Sequence, residues 1–100
     1  MPDNKTETKK QSAAIYARVK GRVQGVGFRF STVREAHKIG VNGWVRNASN
    51  GDVEVWAEST PDKLEIFLAW LRKGPQFSRI DSVAVEEKAG KGYHDFNVEF

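Results

Sequence analysis

The spacing of apolar residues changes period several times along this chain, and no other feature narrows its fold so far. Ile15, Ala17, Val19 and Val23 fall on one side of an alternation, with Tyr16, Arg18, Lys20 and Arg22 on the other. A period of two reads as a half-buried strand. Gly25-Val26-Gly27 interrupts it, and residues 28–39, FRFSTVREAHKI, place Phe30, Val33 and either Ala36 or His37 at helical spacing, with Gly40 suited to follow a helix. Val41 to Asn47 and Val53 to Glu58 flank Asn50-Gly51, a strong hairpin signal, with Val41, Val45, Val53, Val55 and Ala57 as the buried side. A second helix follows: Thr60 can cap it, Pro61 suits its first position, and Asp62 its first turn. Leu64, Phe67, Leu68 and Leu71 form its apolar stripe, and Gly74-Pro75 stops it. Ile80 to Glu86 alternates again. After a turn around Gly90 and Gly92, so do Phe96, Val98 and Phe100.

The order β-α-β-β-α-β with a short extra C-terminal strand defines the fold class as α+β. It is the ferredoxin-like sandwich, an antiparallel sheet with two helices on one face. In that topology the first and second strands run parallel with the third between them. The loop Gly21–Arg29 and the segment Arg46–Asn47 should therefore meet at one edge of the sheet.

Composition removes several kinds of chemistry. With no cysteine in 100 residues there is no disulfide framework, no thiolate metal site and no cysteine nucleophile. His37 and His94 stand far apart without a partner motif, so no metal or other cofactor is expected. No apolar run approaches the roughly 20 residues of a membrane span. A net charge of +3 permits an anionic ligand without demanding nucleic acid. Residues 1–12, MPDNKTETKKQS, read as a disordered polar tail ahead of one domain over 13–100. No apolar segment follows the tail's lysines as in a secretory signal, so the expectation is a cytoplasmic monomer.

The segment GRVQGVGFR at 21–29 leads from a strand into a helix start, where backbone N–H groups are free and the peptide dipoles favour negative charge. Glycines let such a backbone curl round phosphate oxygens. No Gly-Lys-Ser/Thr follows, so it is not a nucleotide-triphosphate loop. Two local rules are broken. The cap position lacks Ser, Thr, Asp or Asn, and Arg29 sets a cation in the first turn, with no acid before Glu35. A bound anion would resolve both.

These nine residues, with Gly43-Trp44-Val45-Arg46-Asn47, Asn50-Gly51 before Val53-Glu54, Lys73-Gly74-Pro75 and the closing Phe-x-Val-x-Phe, resemble the acylphosphatase family over about residues 14–100. The resemblance implies a ferredoxin-like, metal-free hydrolase that cleaves acyl phosphates to a carboxylate and inorganic phosphate. It implies that Arg29 binds the phosphoryl group, that Asn47 positions the attacking water, and that Gln24, Gly25, Val26, Gly27 and Phe28 form the phosphate loop. Asn50 departs from the family's usual Asp in that turn, which changes charge rather than chemistry.

The residue types suit those roles. A guanidinium donates two parallel hydrogen bonds to phosphate oxygens. Asn47 cannot act as a base, but its amide can orient a water. A carboxylate whose conjugate acid has a pKa of about 4 leaves without a general acid. Two other readings compete. Tyr16, Arg18, Lys20, Trp44, Arg46 and Trp56 share the open sheet face, as in modules that stack RNA bases. The third strand lacks the corresponding octamer, and Glu54 and Glu58 on the same face would repel phosphates, which argues against nucleic acid. A non-catalytic phosphate-binding module is the second alternative, and the self-contained length favours a free enzyme.

Overall fold

The computed structural model describes residues 13–100; the tail expected over residues 1–12 lies outside them. The elements are β1 (Ala13–Arg22), α1 (Phe28–Ile39), β2 (Asn42–Asn47), β3 (Val53–Ser59), α2 (Pro61–Lys73), β4 (Arg79–Lys88) and β5 (Phe96–Val98). The sheet order is β4-β1-β3-β2-β5. β1 pairs antiparallel with both β3 and β4, and β2 pairs antiparallel with β3. These are the split βαβ pairings expected from the sequence. The fifth strand makes the sheet mixed, because β5 runs parallel to β2.

Alternation places Ile15, Ala17 and Val19 of β1, Val45 of β2, and Val53, Val55 and Ala57 of β3 in one buried cluster with the helices. α2 follows its sequence signals. Thr60 Oγ1 accepts from the Lys63 N–H at 3.3 Å, and Leu64, Phe67 and Leu71 are buried. Phe67 meets Phe96 edge-on at 5.8 Å, which anchors the short β5 in the core.

α1 departs from expectation at Phe30, which is 74% exposed; Val33 packs on the core and Ala36 is buried as expected, with Phe28 and Thr32 completing the buried stripe. The left-handed Gly27 starts the helix at Phe28, so residues four and eight positions on lie beneath it. Thr32 tolerates full burial because its hydroxyl donates to the Phe28 carbonyl at 2.8 Å.

The segment 89–95, expected as a turn, is instead a crossing, because β4 and β5 lie at opposite edges of the sheet. Glu58 on the open face of β3 holds it. Its carboxylate accepts from the N–H groups of Lys91, Gly92 and Tyr93 at 2.6, 3.0 and 3.1 Å, and from Trp56 Nε1 at 2.8 Å. Burial pushes the Glu58 pKa up, but these four donors outweigh it and hold it below its usual value. β5 ends at Val98, and Phe100, expected to continue the alternation, is fully exposed.

Candidate active site

Val23 still points into the core, so the chain leaves the sheet edge at Gln24. Gly25 and Gly27 have φ of 78° and 75°, and a Cβ on either would meet nothing within 4 Å. Backbone conformation, not crowding, requires glycine there. Left-handed residues on both sides of Val26 make a concave turn on which N–H groups can converge. α1 opens from this turn. Gly27 at its cap offers no side chain, and no acid lies in the first turn. The earliest intrahelical bond runs from the Ser31 N–H to the Gly27 carbonyl at 3.0 Å, so the N–H groups before Ser31 have no carbonyl within the helix.

Arg29 sits half-buried in that first turn. Its guanidinium carbon lies 5.4 Å from the centre of the exposed Phe100 ring. Among the described residues no carboxylate forms an ion pair with it. A cation and free amides at one helix start make a site that an anion completes. Phe28 has only its main chain to offer an anion, since its side chain is buried against Trp70 at 6.1 Å. Val26 likewise packs on the core.

Asn47 is the last residue of β2, exposed, and on the same side of the sheet as Val45. The loop meets the chain just beyond the expected Arg46–Asn47 segment. Gln24 Nε2 donates to the Ala48 carbonyl at 2.9 Å and to the Asp52 carbonyl at 2.8 Å, tying the glycine loop to the turn that follows Asn47. That turn is wider than a two-residue hairpin. The Ala48 N–H reaches the Asp52 carbonyl at 2.8 Å, the Gly51 N–H reaches the Ala48 carbonyl at 3.3 Å, and Gly51 takes φ 96°.

Sequence reasoning did not single out Asp52. It is 6% exposed, and its carboxylate receives Arg18 Nη1 at 3.2 Å, Lys20 Nζ at 3.4 Å and Asn50 Nδ2 at 3.1 Å. Burial raises its pKa, but the Arg18 and Asn50 hydrogen bonds and the Lys20 charge bring it below the usual carboxylate range. Next to it, Glu54 accepts from Tyr16 at 2.8 Å, Arg18 at 2.7 Å and Arg46 at 2.6 Å. The detectable signal was alternation: Arg18 and Lys20 of β1, Arg46 of β2 and Glu54 of β3 fall on the open face in the observed register, and Asp52 stands two residues before Glu54.

The residues weighed for stacking bases are engaged elsewhere. Trp56 is 7% exposed under Lys91, whose Nζ lies 4.6 Å from its ring, and Trp44 Nε1 donates to the Tyr93 hydroxyl at 3.1 Å. His37 lies away from the loop, with Nε2 3.0 Å from the Phe96 carbonyl. Among the described residues no three or more His, Asp or Glu gather as a metal site, and no helix is long and apolar enough to cross a membrane.

Fold and site together define a small α+β protein with an uncapped, cation-bearing helix start tied through Gln24 to the turn after β2. A family profile described as acylphosphatase matches residues 15–98. An acylphosphatase of Thermococcus kodakarensis is 45% identical over 83% of this chain and 91% of its own length. The structure of an acylphosphatase from Coxiella burnetii superposes with a TM-score of 0.87 at 38% identity, over 91% of this chain and 96% of that one. The acylphosphatase structure from Bacillus subtilis gives 0.86 at 36% identity, over 88% and 99%. The chain belongs to the acylphosphatase family and is a hydrolase acting on acid anhydrides.

Proposed function

We propose that the protein hydrolyses acyl phosphates with Arg29 and Asn47 as its catalytic residues. The observation that carries the reading is the uncapped start of α1, with Arg29 in its first turn, tied through Gln24 to the turn beside Asn47. The main-chain N–H groups of the loop Gln24–Phe28 and the Arg29 fork hold the phosphoryl oxygens, a bidentate charged contact that an ammonium could not replace. The Asn47 amide fixes a water in line with the scissile bond. The water oxygen bonds to phosphorus as the phosphorus–acyl oxygen bond breaks, and the carboxylate departs with the bonding pair. A phosphoryl oxygen takes the water proton. Positioning and charge stabilisation suffice because the leaving group needs no proton.

The base-stacking alternative is disfavoured by the cover over Trp56 and the acids paired along the open face. The test is initial-rate hydrolysis of an aryl acyl phosphate, with and without excess chelator, by wild type and Asn47→Ala. Wild type is expected to work equally in chelator and to be inhibited competitively by inorganic phosphate. Asn47→Ala is expected to bind phosphate within a few-fold of wild type while kcat falls by about 10²-fold or more. Activity lost to chelator and restored by zinc or magnesium, or normal turnover in Asn47→Ala, refutes the assignment.

A further inference from the structure

Gln24 lies within the glycine loop, yet its side chain turns away from the anion cradle. We propose that Gln24 and Asp52 are positioning residues that act through the β2–β3 turn to set the catalytic amide of Asn47 against the phosphate cradle. The inference rests on the functional reading above.

The geometry is economical in donors and acceptors. A primary amide has two protons, and Gln24 gives both to carbonyls of the same turn, Ala48 and Asp52. The Ala48 peptide is thereby fixed at both ends. Its N–H is bound to the Asp52 carbonyl, and its carbonyl receives Gln24 and Gly51. Ala48 follows Asn47 directly, so the last residue of β2 has little freedom to drift. On the other side, the main chain of Gln24 itself opens the cradle that continues through Gly25. One side chain therefore spans the gap between the two halves of the site.

Asp52 holds the receiving end. Its carbonyl accepts from both Ala48 and Gln24, and its N–H donates to Asn50 Oδ1 at 3.0 Å. Its carboxylate is anchored on the open face by Arg18, Lys20 and Asn50. The Asp52 N–H, its carbonyl and one carboxylate oxygen thus tie the turn to itself, to Gln24 and to β1. Misplacing a water-orienting group by about 1 Å can cost some 10²-fold in rate, so a clamp of this kind is read out in kcat.

Gln24→Met keeps the length and volume but removes the donors. Asp52→Asn keeps the size but removes the charge that Arg18 and Lys20 hold. In steady-state hydrolysis of an aryl acyl phosphate, each is expected to lower kcat by about 10-fold with inhibition by inorganic phosphate unchanged within about threefold. The double variant is expected to lose little more than the worse single variant, because the residues work as one unit. Thermal melts accompany the rates: a merely structural role lowers Tm but leaves the kcat of folded enzyme intact. Unchanged kcat in Gln24→Met overturns the proposal. So does a loss confined to phosphate affinity, which would make Gln24 a direct ligand, or losses that multiply in the double variant. Should wild type turn over no acyl phosphate, the functional reading fails instead. The clamp is then read from the Gln24 side-chain amide protons, whose solvent exchange is expected to be slowed, and fast exchange overturns it.

Discussion

Arg29 occupies the turn of α1 where its charge opposes the helix dipole, with no acid in that turn to offset it. Arg29→Lys keeps the charge and loses the fork, so hydrolysis is expected to fall by about 10²-fold or more with the fold intact. Arg29→Ala is expected to abolish hydrolysis and to melt at or above the wild-type temperature, since removing the cation relieves up to about 1 kcal/mol of unfavourable dipole interaction. Initial rates and thermal melts of both variants decide it; full activity in Arg29→Lys refutes the role. The uncapped helix start with Arg29 in its first turn was legible in sequence because it breaks two local rules beside a glycine loop. Asp52 was not, because its burial depends on Arg18 and Lys20, which lie more than thirty positions away along the chain.

The elements were legible to the extent that their signals were local. α2 has a capping side chain, a first-turn proline and a terminal glycine, and its buried face is the one its periodicity marks. α1 has no such cap, so its phase is set by Gly27, and a threonine in place of an aliphatic residue concealed the inward stripe. The correction has a measurable form. Phe28→Ala is expected to cost about 3–5 kcal/mol of stability, as for an aromatic removed from a packed core, whereas Phe30→Ala should stay within about 0.5 kcal/mol. Denaturant unfolding compares them, and equal losses would restore Phe30 to the core. The Ala89–Asp95 crossing was illegible for a related reason: two glycines resemble a turn, and only the pairing of β5 with β2 reveals the distance to be covered.

Across the molecule, Asp52, Glu54 and Glu58 are each held below the usual carboxylate range by the donors around them. A carboxylate with a depressed folded pKa stabilises the fold fully above its unfolded value, about 4, and loses that contribution as pH falls through the folded one. Tm is therefore expected to stay level from neutrality to about pH 5 and to drop below about pH 4. Glu58→Gln should lower the plateau and weaken the acid slope; melts identical to wild type at every pH would contradict this. The position of β1 has a different kind of consequence. Among the described residues the earliest strand lies inside the sheet, and both of its neighbours, β3 and β4, come much later in the chain. No N-terminal portion ending before Arg79 can complete the sheet, so large loops must close before much contact energy returns. Completion of the sheet thus waits on β4, and such long-range closure slows folding relative to a fold built on local contacts.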